Sequence, residues 1–173
     1  MSDLVSKAKE GRGFLEKIAA VVPGFAGYME RATRRDADKR LRETVAAGFE
    51  RQWSRVSELE RQFVVSKQLE LVGSLEAAAL KLRTLTDRVR TASYGYAGFF
   101  DLVKVNETQL AQLYQFDSSL LDLVKQVAAA VDNVESSVGT DGLPAAIRNL
   151  TSLAQTGVDT FAGRGEVLAS VGQ

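Results

Sequence analysis

The chain has 173 residues, 45% of them hydrophobic and 25% charged, enough for one domain with a real core and too apolar for wholesale disorder. It contains no cysteine and no histidine, which excludes disulfides, thiolate nucleophiles, histidine metal ligands and the commonest general base, so most enzyme templates fail and no cofactor is expected. The net charge is zero, yet residues 1–92 carry 18 basic against 13 acidic side chains and residues 93–173 carry 4 against 9; either the two halves pack side by side and partly neutralise each other, or the first half meets an anionic partner.

The first predicted element runs from Asp3 to Val22. Leu4, Ala8, Leu15, Ile18 and Val22 recur at helical spacing, Phe14 and Val21 widen the stripe, and Gly11 and Gly13 weaken it. Its longest apolar run, Ile18 to Pro23, falls far short of the roughly 18 residues of a membrane span. Early charges also break up any signal-peptide pattern, and a cytoplasmic location is expected. With four basic and three acidic residues, segment 1–22 is a weakly basic amphipathic helix; packing onto its own bundle is favoured over lying on a membrane surface.

VVPGFAG, residues 21–27, breaks the helix. A long amphipathic helix is predicted from about Tyr28, with Leu41, Val45, Phe49, Val56, Leu59 and Phe63 on one face and Trp53 beside them. Its opening stretch, residues 30–43, interleaves six basic and four acidic side chains. Arg31, Arg34, Arg35, Lys39 and Arg42 are the candidate interaction residues, although a solvated face laced by i,i+4 pairs is the favoured reading of the cluster. No nucleic-acid partner is expected, because aromatic side chains are not spread along a basic groove. A turn is predicted at Gly73-Ser74, with Ser74 and Glu76 opening the next helix.

TASYGYAGFF, residues 91–100, places four aromatic rings and two glycines in ten positions. Leu82, Leu85, Val89, Ala92, Tyr96, Phe99 and Val103 alternate spacings of 3 and 4, so the seam predicts a helix continuing through the glycines. Gly95, Tyr96, Gly98 and Phe99 are therefore the candidate helix-crossing residues, the glycines admitting a second backbone. GFAGY at 24–28 echoes GYAGF at 95–99 and is the expected partner at that crossing.

Asn106 and Gln109 have the spacing of a capping box and predict the next helix start. Leu110, Leu113, Asp117, Leu120, Val124, Val127, Val131, Val134 and Val138 then form a seam whose one polar member is Asp117. Asp117 is the best single candidate for an acid–base role, weighed against a solvent-facing edge residue or a register-setting contact with Arg or Tyr. GTDGLP ends this helix at 139–144. Leu143, Ile147, Leu150, Ala154, Val158 and Phe161 continue the last one up to Gly163 and Gly165, beyond which only a short final turn through Val167 and Leu168 is expected.

No period-two run predicts a strand, and no solenoid repeat is present. A di-iron centre needs Glu-x-x-His pairs that the sequence lacks, and no phosphate loop, nucleophile elbow or EF-hand pattern occurs. The expectation is a single all-α domain over 1–173, an antiparallel bundle of four to five helices with long central helices.

PGFAGYMERATRRDADKRLR and TASYGYAGFFDLVKV resemble signature stretches of a family of uncharacterised bacterial helical proteins, a resemblance that covers most of the chain. It implies a coherent helical fold and brings no activity, substrate or catalytic residue. In arrangement, a leading amphipathic segment before long helical hairpins, the chain is also similar to phage-shock-type membrane-remodelling proteins. The functional expectation is a non-enzymatic scaffold or protein-interaction module, monomeric or weakly dimeric. The alternative is a peripheral protein on an anionic membrane surface, at its inner face, using segment 1–22 and the basic cluster 31–42.

Overall fold

The computed structural model describes residues 2–92 and 97–170. Among them all regular structure is helical: α1 (Ser2–Val21), α2 (Arg34–Val65), α3 (Val72–Thr91), α4 (Ala97–Asp101), α5 (Glu107–Ser137) and α6 (Leu143–Ser170), with 3-10 turns at Arg31–Thr33 and Leu69–Leu71. The chain is an all-α bundle. Its four long helices form two antiparallel hairpins. In the first, Arg42 near the start of α2 donates to the carbonyls of Val89 and Arg90 at the end of α3, and Arg83 lies over the Trp53 ring midway along. In the second, Arg164 near the end of α6 meets Asp117 near the start of α5.

Across the hairpins, helices of like direction are neighbours. Gly48 of α2 faces Val124 of α5, and Arg55 pairs with Asp132 and Glu135 two to three turns further up both helices. Gly157 of α6 faces Leu85 of α3, and Lys81 donates to Gln155 on the same pair. α1 lies along α5, with Gly11 against Ala111. No helix among the described residues is long and apolar enough to cross a membrane.

The apolar seams build the core. Leu41, Val45, Phe49, Val56, Leu59 and Phe63 of α2 are buried, as are Leu110, Leu113, Leu120, Val127, Val131 and Val134 of α5. α5 starts where its sequence predicts: the Asn106 side chain accepts from the Gln109 backbone N–H at 2.7 Å, and the Gln109 side chain accepts from the Asn106 N–H at 3.2 Å. Asn106→Ala should therefore cost about 1 kcal/mol. A lower urea midpoint at unchanged slope checks this, since only the native cap is lost.

Three boundaries differ from the sequence reading. α2 begins at Arg34 instead of near Tyr28, because residues 22–30 are drawn into a loop by the buried rings of Phe25 and Tyr28. The α2–α3 break falls at Ser66–Gln68, before Gly73, which sits inside the first turn of α3. Lys67 adopts φ 60°, and the N–H groups of Gln68 and Lys67 return to the carbonyls of Phe63 and Val64. This is a Schellman closure, placed where the apolar face stops: residues 64–70 are all exposed.

The third difference is at the C-terminus, where α6 passes through Gly163 and Gly165 without interruption to Ser170. Its buried positions, Leu143, Ile147, Leu150, Ala154, Gly157, Phe161, Arg164 and Leu168, keep the 3 and 4 spacing throughout. Gly157 replaces the expected Val158 on this seam. A Cβ on Gly157 would stand 2.6 Å from the Leu85 side chain, and one on Gly48 would stand 2.6 Å from Val124. Among the described residues, these two glycines mark close helix crossings of the bundle.

The expected crossing at GYAGF is different. Gly95 and Tyr96 lie outside the described residues. On either side, α3 ends at Thr91 and α4 spans Ala97–Asp101. Gly98 is exposed, while Phe99 and Phe100 are buried. The seam from Leu82 does not extend to Val103, which is 72% exposed, because α4 has ended two residues earlier.

Candidate interaction site

The end of the bundle that carries the starts of α2 and α5 and the ends of α3 and α6 also carries the loop 22–33 and the segment 102–106. The loop is tied down through Tyr28. The Tyr28 N–H donates to the Tyr114 hydroxyl at 2.8 Å, its carbonyl accepts from Arg34 Nε at 2.7 Å, and its hydroxyl donates to Asp117 Oδ2 at 2.7 Å. Gly27 makes the first of these possible: its φ of +85° suits glycine, and a Cβ there would stand 2.7 Å from the Tyr114 hydroxyl. The ring of Tyr28 stacks on Tyr114 with centroids 5.4 Å apart and meets Phe25 and Phe99 edge-on at 5.4 and 6.1 Å. The two echoing pentapeptides thus touch through their fifth residues.

Behind Tyr28 lies a buried ionic network. Arg164 donates from Nε to Asp117 Oδ1 at 2.6 Å and from Nη2 to Asp38 Oδ1 at 2.7 Å. Arg42 donates from Nε to Asp38 Oδ2 at 2.7 Å. All four charged side chains are buried, and two cations balance two anions. Arg34 is buried apart from them, capping the carbonyls of Tyr28, Met29 and Leu102, so it joins the loop to segment 102–106.

Electrostatics follow from this burial. Burial pushes the Asp117 carboxyl above the ordinary carboxylate range, against the opposing pull of Arg164 and the Tyr28 hydroxyl. Burial by itself would depress Arg164, but Asp117, Tyr28 and Asp38 together outweigh it, Asp117 most of them, and hold the guanidinium protonated, well above its ordinary range. Tyr28 is driven well above the usual tyrosine range by burial and then by Asp117, and Tyr114 is raised by burial.

Because the native pKa of Tyr28 exceeds the unfolded value of about 10, its contribution to stability is fully present below pH ~10 and is lost as pH rises further. In an alkaline titration followed at 295 nm, Tyr28 and Tyr114 should ionise only together with the loss of helix. Tyr28→Phe should halve that late component. Ionisation of both before any loss of helix would contradict the buried placement.

The five candidate interaction residues separate. Arg34 and Arg42 are buried structural ligands and are not available to a partner. Arg35 and Lys39 remain exposed in pairs with Asp101 and Glu43, and Arg40 pairs with Asp36 in the expected i,i+4 manner. Arg31 is exposed and close enough to Arg34 to lower its pKa after burial has done so. Asp117 makes the register-setting contact with Arg and Tyr, and it lines none of the main surface grooves. Tyr28 was expected at the crossing as part of GFAGY and does meet Phe99, but its bond to Asp117 was not foreseen, and Arg164, Asp38 and Tyr114 were not singled out from sequence.

The network supports a surface. Met29, next to fully buried Tyr28, is 68% exposed. It forms the lip between two grooves that also share Leu110. One groove, of about 250 Å³ between α1 and α5, is lined by Lys7, Gly11, Arg12, Leu15, Ala111 and Tyr114. The other, of about 500 Å³, runs past Val103, Lys104, Val105 and Gln109. No family model, no curated protein and no solved structure matches the chain. The functional reading therefore rests on this geometry.

Proposed function

We propose that the protein is a non-enzymatic interaction module that docks a protein partner at the end of the bundle presenting Met29 and Val103. One observation carries this reading: a loop held at its N–H, its carbonyl and its hydroxyl by buried groups places a large apolar side chain in solvent at the very next position. Burying four charges costs more than packing apolar residues of the same volume, so their use beneath a loop points to positioning as the purpose rather than stability. Protein docking is favoured over membrane attachment because α1 lies along α5, and because Arg34 and Arg42 turn inward from the basic cluster. The long helices cover one another, in keeping with a monomer or weak homodimer.

In-cell photocrosslinking tests the proposal. A benzophenone side chain at position 29 should give protein adducts. The same group at position 65, the exposed last residue of α2 at the other end of the bundle, should not. Adducts only at 65, lipid adducts at 29, or none at either position would overturn the reading.

A further inference from the structure

We infer that the paired grooves around Met29 receive an acidic amphipathic peptide segment, one bulky apolar side chain entering between α1 and α5 with carboxylates set against the rim. The inference rests on the interaction-module reading and names the partner's chemistry.

Shape favours a knob of side-chain size. The floor is Leu15, Leu110, Ala111 and Tyr114, and the small Gly11 and Ala111 facing each other on α1 and α5 leave it without a large side chain at that point. A bilayer surface meets protruding residues; a recess between two helices takes an inserted side chain, as in helix-in-groove recognition. Met29 suits the lip, its unbranched thioether adapting to the shape it covers.

Charge supplies the second half. Among the described residues, the exposed charges lining the two grooves include Arg12 and Lys104 against the one carboxylate Glu107, with Lys7 half-buried beside Arg12 and Arg34 buried in the wall. Elsewhere the exposed arginines of α2 and α3 are largely matched, Arg35 to Asp101, Arg40 to Asp36, Arg55 to Glu135 and Arg90 to Glu50. Arg12 and Lys104 are exposed and have no carboxylate partner among the described residues, so the rim keeps a positive field over an apolar floor. A segment carrying Asp or Glu beside Leu or Phe complements both features, and a basic segment is repelled.

The test pans a random twelve-residue phage-displayed peptide library on the full chain. Selected peptides, resynthesised, are then titrated against the full chain, Met29→Asp and the double variant Arg12→Glu/Lys104→Glu. All three substituted side chains are exposed, and circular dichroism confirms that the variants fold. The expected result is enrichment of peptides combining Asp or Glu with Leu, Phe or Trp. Their binding should weaken about tenfold or more in each variant, as for loss of an anchoring contact, and should weaken further with added salt. Selected peptides with no acidic enrichment, or binding that neither variant moves, would overturn the inference; protein crosslinks at position 29 would leave the interaction module standing. Vesicles of phosphatidylcholine and phosphatidylglycerol in equal parts that bind the full chain and lose Met29→Asp would overturn it in favour of a lipid surface.

Discussion

Arg164→Met is expected to be among the most destabilising single substitutions in the chain, costing about 3–5 kcal/mol. The side chain is fully buried and bridges two carboxylates, Asp117 at 2.6 Å and Asp38 at 2.7 Å. Without it Asp38 keeps Arg42, but Asp117 keeps only the Tyr28 hydroxyl and remains a buried anion with no countercharge. Against a typical domain stability of about 5–15 kcal/mol this is a large fraction. It should lower Tm by roughly 2–4 °C for each kcal/mol lost. The double substitution Arg164→Met/Asp117→Leu removes one charge of each sign and leaves the Arg42–Asp38 pair intact. It should therefore be less destabilised than Arg164→Met alone, a positive coupling that denaturant titration of the single and double variants measures directly. A double variant as unstable as the two singles added together would show that the residues act independently.

Gly48→Ala should be destabilising although alanine is the better helix former by about 1 kcal/mol. Its Cβ would stand 2.6 and 3.1 Å from the two Val124 methyl carbons and 3.4 Å from the Val124 Cβ. Both Val124 methyls face the site, so every χ1 rotamer leaves at least one of them there, and α2 must move away from α5. The overpacking cost is about 1–3 kcal/mol, and a larger side chain such as leucine should add to it. Val124→Ala should rescue Gly48→Ala by removing both methyl groups. Gly163→Ala meets only the half-buried Phe116 ring at 2.9 Å, which can swing outward, and should cost less. Thermal unfolding of the four variants checks the order, and a Gly48→Ala protein as stable as the parent would remove the close crossing from the account.

Much of the bundle was legible because apolar periodicity reports which face of a helix is buried. Leu41 to Phe63 and Leu110 to Val134 were readable for that reason, and the Asn106 cap because its chemistry is local. The network was harder to read, although its positions continue the same seams. Stepping back from Leu41 by 3 and then 4 gives Asp38 and Arg34; stepping forward from Phe161 by 3 gives Arg164; Asp117 sits on the α5 seam itself. A charged residue on a seam reads as solvent-facing until its partner is known, and the carboxylates that Arg164 meets are 47 and 126 positions away. The glycines flanking Arg164 also read as a helix stop, since propensity marks them as weak while tertiary packing decides. The basic cluster misled for a related reason. Its interleaved signs describe a solvated face at Arg35, Lys39 and Arg40, but the same stretch turns Arg34, Asp38 and Arg42 into the core.

The central claim is that buried groups hold the loop 22–33 in one position so that Met29 is presented. Amide hydrogen exchange at Tyr28 in the full chain tests it most directly, because the Tyr28 N–H donates to the buried Tyr114 hydroxyl. The predicted result is exchange as slow as that of the buried α5 amides near Leu113, opening only with the bundle, and fast exchange in Tyr114→Phe while the α5 amides stay protected. If Tyr28 in the parent chain instead exchanges as fast as Met29 and Glu30 beside it, the loop is not held and the docking surface it presents is not preformed.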